Sequence, residues 1–180
     1  MNLTLKKLGA CTVEETINKF ILSEHTNKYQ YSNWLLSKIL SKENKIRYAI
    51  FAAELVINIF ESKYPTDKRP RIAIEAAKKY LNNQTDENKN AAAYAAYAAN
   101  AAAYAAYAAA ADAAAANAAH AAANAANAAN AAHTAYAAYA ANAAAYAADA
   151  ADAAGINKKE EVYGKIIEYG LLLLSQQDKE

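Results

Sequence analysis

Between Ala91 and Ala154 the chain is nearly a single letter: forty-five of these sixty-four residues are alanine, and neither glycine nor proline occurs among them. Alanine has the highest helix propensity of any residue, so the stretch is expected to be helical. Its length then becomes the constraint. One unbroken helix would extend about 96 Å at roughly 1.5 Å per residue, whereas a folded domain of 180 residues has a radius of gyration of about 16 Å. The tract either folds back on itself or makes the molecule a rod.

The residues that interrupt the alanines favour folding back. A pattern with steps of three, four and three occurs as Tyr97, Asn100, Tyr104, Tyr107, then as Asn117, His120, Asn124, Asn127, and again as Tyr139, Asn142, Tyr146, Asp149. At about 100° per residue each set occupies an arc of roughly 80° on its helix. The offsets suit three short helices with turns near Ala110 to Ala115 and Asn130 to Thr134. Alanine buries little area, so such helices gain by close approach, near the lower end of the usual 8–10 Å interaxial range (roughly).

The flanking sequence reads as ordinary amphipathic helix. Thr12 and Glu15 form a capping-box pattern ahead of Ile17, Phe20, Ile21 and Leu22, and Ser32 or Asn33 is placed to cap a helix bearing Trp34, Leu35, Leu36, Ile39 and Leu40. One helix is expected from about Glu43 to Lys63, with Ile46, Ile50, Phe51, Leu55, Ile57 and Phe60 at mostly helical separations and Pro65 as its stop. Asp67 and Pro70 open another, carrying Ile72, Ile74, Ala77 and Leu81 into a polar loop from Asn82 to Asn90. Gly155 is a C-terminal cap, and a last helix from about Lys158 to Ser175 closes the bundle. The expected fold is all-α, a compact bundle in one domain spanning 1–180. Its parts are a mixed half (1–90), the alanine-rich helices (91–154) and a closing amphipathic helix (156–180).

Charge and cysteine content narrow the partners. Nineteen Lys and Arg against eighteen Asp and Glu leave a net charge of +1, so no global field favours a nucleic-acid polymer or a membrane. The single Cys11 excludes an intramolecular disulfide and suits a reducing compartment, where a lone thiol is usually a small buried apolar group. The opening MNLTLKKLGACTVEE is broken by charge before an export signal could form, so a cytoplasmic location is expected.

With alanine over most of the tract, Tyr, Asn and His are nearly the only groups that can make specific contacts. In one reading the tyrosines pack with hydroxyls at the rim while Asn and Asp face water. In the other the stripes converge, so that Tyr97, Tyr104, Tyr107, Tyr139 and Tyr146 stack on a planar ligand while Asn100, Asn117, His120, Asn124, His133 and Asn142 hydrogen-bond its edges. A small nucleotide-like molecule fits that chemistry. No glycine-rich phosphate loop is present, so a phosphate would fall to helix N-termini or to Arg69 and Arg71. Those arginines belong to a run of four cations at a helix start, where the helix dipole disfavours them; Asp67 and Glu75 could neutralise them as a structural network.

Catalytic patterns are sparse. His120 and His133 have no HExxH spacing, and neither a Cys pair nor a GxSxG elbow occurs. His25 sits in a polar segment, and Asp149 and Asp152 read as helix-end charges. Binding without catalysis, metal or cofactor is therefore expected. An ice-binding helix would need regularly spaced threonines, and the tract has only Thr134. Alanine faces pack well on their own copies, so a homo-oligomer is expected.

The segment Glu54 to Leu81, ELVINIFESKYPTDKRPRIAIEAAKKYL, followed by an alanine tract studded with Tyr, Asn and His, resembles the immunity-protein-five-like family. That family is found in bacteria and their phages and shares a core like KRPRxAIEAA ahead of an alanine-rich helical half. The similarity runs from about Asn33 to Leu174. It implies an immunity or anti-defence protein that neutralises its target by binding, the target being a small nucleotide signal or a protein toxin or effector.

Overall fold

The computed structural model describes residues 12–108, 112–131, 135–155 and 159–177. Among these, nine α-helices follow one another: α1 (Val13–Ile21), α2 (Lys28–Ile39), α3 (Lys42–Glu54), α4 (Ile57–Lys63), α5 (Arg69–Asn82), α6 (Asp86–Ala108), α7 (Ala113–Asn130), α8 (Tyr136–Ala153) and α9 (Lys159–Gln177). The all-α expectation holds, and the alanine tract does fold back, as α6, α7 and α8. Cys11, His133 and Thr134 lie outside the described residues, as does the side chain of Tyr107.

The most alanine-rich helix is the centre of the molecule. α7 packs against α3, α4 and α5 as well as α6 and α8. Twelve of its alanines are buried, whereas Asn117, Asn127 and Asn130 are half-exposed. A helix enclosed by five others has no room for long side chains, which gives a physical reason for its composition. Its start is marked by Asp112, whose carboxylate accepts a hydrogen bond from the Ala115 N–H at 3.1 Å and pairs with Lys63 at 3.4 Å. The helix therefore begins on an acidic N-cap.

One hydrophobic core joins this layer to the N-terminal helices, with Ile17, Leu36, Ile46, Tyr48, Phe60 and Ile74 all essentially inaccessible. α9 closes the bundle against α2, α3 and α8. Its Gly170 permits that approach: a Cβ there would lie 2.7 Å from Tyr48 Cε2 and 2.8 Å from Leu36 Cδ1. The cap at the end of α8 is also as expected, with Gly155 at φ +64° and its N–H donating to the Asp152 carbonyl.

Three local expectations are corrected. The Glu43–Lys63 helix is two, broken at Leu55 and Val56, where Val56 leaves helical geometry at φ −125°, ψ −5°. The break redirects the chain so that Ile57 and Phe60 are buried in α4 while Leu55 stays partly exposed. Ser32 and Asn33 do not cap a helix; α2 begins at Lys28 and both lie buried inside it. The Asn82–Asn90 loop shrinks to three residues, because the Thr85 hydroxyl accepts from the Asn88 N–H and starts α6 at Asp86. The Thr12 and Glu15 capping box is formed in both directions.

Candidate functional site

Helical phase places the functional side chains along one seam. In α7 the positions 117, 120, 124 and 127 share one arc, and it is the arc on which burial is incomplete. α6 and α8 flank it. His120 Nδ1 lies 3.0 Å from Asn100 Oδ1 of α6. As an acceptor, the amide oxygen suits the tautomer in which Nδ1 carries the proton. The Tyr104 ring of α6 meets the imidazole edge-on at 5.6 Å between centroids, and the Tyr146 ring of α8 lies over it at 5.0 Å and 29°. Within α7, Asn124 Nδ2 donates to the His120 carbonyl at 2.8 Å.

The three stripes therefore meet at one point, with Asn100, Tyr104, His120, Asn124 and Tyr146 in a single cluster across three helices. Other candidates stand around it or elsewhere. Tyr97 and Tyr104 are 75% and 67% exposed, and Tyr94, outside the stripe, is 76% exposed, so these rings are not core packing. Tyr136 is buried instead. Asn117 and Tyr139 are half-buried and Asn142 is exposed. The resulting surface combines rings open to solvent with amides and an imidazole already oriented by neighbours. Such a surface can stack on a flat molecule and hydrogen-bond its edge.

The basic motif is arranged differently. Arg69 makes a two-pronged contact with Asp67, from Nε at 2.9 Å and Nη2 at 2.6 Å, and Arg71 does the same with Glu61 at 3.0 and 2.6 Å. These pairs hold both carboxyls below the usual carboxylate range, the arginine hydrogen bond being the main cause in each. The partner of Arg71 is thus Glu61, ten residues back across the Pro65 turn, while Glu75 pairs with Lys78. Asp149 is bound to Lys159 of α9 at 2.5 Å. Among the described residues no three His, Cys, Asp or Glu side chains converge on a metal-sized space, and no helix is long and apolar enough to cross a membrane.

His120 gives the cluster a measurable pH response. Burial lowers its pKa below the ordinary 6.5. The unfolded chain therefore takes up a proton first, so stability is level above about pH 6.5 and falls as pH drops toward the folded pKa. Urea unfolding at pH 7.5 and 5.5 is expected to show a smaller acid loss for His120→Gln than for the wild type. An equal loss in both proteins would mean that His120 is not the group responsible.

Comparison with known proteins gives one clear match. No curated protein and no solved structure matches the chain. A family model described as "Imm-5 like putative immunity protein" matches residues 36–167, which take in α3 to α8 whole and with them the entire seam. On that match, covering well over half of its length, the chain belongs to the Imm-5 like putative immunity protein family.

Proposed function

We propose that this immunity-family protein neutralises its target by sequestration, holding a small, planar, nucleotide-like signal on the seam between α6 and α8. The observation that carries this reading is the meeting of Asn100, Tyr104 and Tyr146 on His120 beside the exposed Tyr97 ring. Ring faces supply stacking and amides supply edge recognition, the combination that a nucleobase requires. Because Arg69 and Arg71 are already paired with carboxylates, recognition rests on the base rather than on a phosphate. Capture rather than turnover is favoured, since the central imidazole is hydrogen-bonded to the Asn100 amide and flanked by the Tyr104 and Tyr146 rings. A second copy facing the exposed tyrosines would enclose the ligand, which fits a homo-oligomer in a reducing, cytoplasmic setting.

A second reading has its own support. Tyr94, Tyr97 and Tyr104 form an exposed aromatic ridge on α6, and tyrosine is among the side chains that dominate protein–protein hot spots. On that reading the target is a protein toxin or defence effector.

Native mass spectrometry separates the two. The protein is incubated with extract from cells whose nucleotide-signalling defence is active, and bound species are then released by heat. The expected result is a small-molecule adduct released with its mass unchanged. Release of an altered mass would mean turnover and contradict sequestration, and a protein-sized adduct alone would replace the first reading with the second.

A further inference from the structure

The hydrogen bonds inside the seam fix which way two of its amides point. Asn100 is half-buried and turns Oδ1 to His120 Nδ1 at 3.0 Å, while its Nδ2 has no partner among the described residues. Asn124 is turned the opposite way. Its Nδ2 donates to the His120 carbonyl at 2.8 Å, which leaves Oδ1 as an acceptor. Asn124 is only 8% exposed, yet that oxygen stays open: among the described residues Ser32 Oγ is the one side-chain polar atom of a non-exposed residue that is both closed off and unpartnered. Both amides are anchored on the same histidine, so the seam offers an acceptor on its α7 floor and a donor on its α6 bank.

Helix register sets a ring beside this pair. α6 and α7 run antiparallel, so the pairing of Asn100 with His120 puts Tyr97, one turn earlier, level with Ala123 and Asn124. The Tyr97 ring is open to solvent. A base lying on it meets a donor and an acceptor that are oriented before it arrives, which reduces the ordering cost of binding.

We propose that the seam selects adenine, holding its exocyclic amine on Asn124 Oδ1 and the adjacent ring nitrogen on Asn100 Nδ2. This rests on the reading of the seam as a nucleotide site and specifies the base. The acceptor is at the floor, so the group that reaches it has to project from the ring and has to donate; an oxo group there would leave both oxygens without a proton. The ring N–H of guanine or uracil is recessed between two exocyclic groups. Guanine can instead send its N2 amine to the floor, but N1–H then faces the Asn100 donor. Cytosine offers the same amine and ring nitrogen as adenine, and its single ring covers less of Tyr97.

NMR titration with AMP, CMP and GMP tests the assignment, since the three share their ribose and phosphate. AMP is expected to bind about tenfold more tightly than GMP, the discrimination of one good paired contact, with CMP weaker than AMP. Asn100→Asp retains an oxygen for His120 and replaces the donor with an acceptor. Two acceptors then suit the adjacent N1–H and N2 amine of guanine, so the variant should prefer GMP at an unchanged melting temperature. Saturable binding without a preference for AMP in the wild type overturns the assignment of adenine and leaves the nucleotide reading standing, as does an AMP preference that survives Asn100→Asp. Absence of saturable binding by all three overturns both.

Discussion

Replacing Ala122 with leucine is expected to cost about 3 kcal/mol or more, the upper end of what overpacking a core usually costs. Ala122 is fully buried in α7, and α7 is enclosed by α3, α4, α5, α6 and α8. Three added carbons can be accommodated only by moving a neighbouring helix, and each such movement opens alanine contacts along its whole length. With total stabilities of about 5–15 kcal/mol, this loss is a large part of the whole. Ala101→Leu is the control, since Ala101 is exposed on α6 and surface changes of this kind stay within about 0.5 kcal/mol. Urea unfolding of both variants measures the difference. Equal midpoints would show that the alanines of α7 are not a close-packing requirement.

Asn33→Ala should destabilise the fold by about 3 kcal/mol, combining a lost buried hydrogen-bond network with a small cavity. Asn33 ties three helices together. Its Oδ1 accepts from the Tyr48 hydroxyl of α3 at 3.0 Å, and its Nδ2 donates to the Ala141 carbonyl of α8 at 3.1 Å. Tyr48 is inaccessible, and burial pushes its phenol pKa far up, so the hydroxyl stays neutral and needs an acceptor. Once Asn33 is alanine that hydroxyl has lost the partner it had. Adding Tyr48→Phe should then cost much less than Tyr48→Phe costs alone, with a coupling of about 1–2 kcal/mol in a double-mutant cycle of unfolding free energies. Strict additivity would mean that the two side chains do not act as a unit.

The parts of this structure that were legible in the sequence are those set by periodicity. Alanine content and the repeated steps of three, four and three place Asn100, His120 and Tyr146 on corresponding faces, and antiparallel return of the tract then brings those faces together. What could not be read depends on partners distant in sequence. Ser32 and Asn33 look like caps because capping is a local pattern, whereas Asn33 is held by Tyr48 and by Ala141, 108 residues away. The break at Leu55 and Val56 is equally hidden, since apolar spacing continues through it and only the burial of Ile57 and Phe60 against the rest of the core rewards the change of direction. Arg69 and Arg71 stand in the sequence as a cation cluster. That each is matched by its own carboxylate, Asp67 and Glu61, follows from the fold of the Pro65 turn.

The claim at the centre of this account is that exposed rings on α6 hold the captured molecule. The direct measurement is the amount of small-molecule adduct retained in native mass spectra by the wild type and by Tyr97→Ala/Tyr104→Ala after incubation with the same signal-containing extract. Both tyrosines are mostly exposed, so the variant should unfold within about 1 kcal/mol of the wild type, close to what surface substitutions cost. The account predicts that its adduct falls at least tenfold. A variant that folds normally and keeps the full adduct would contradict it.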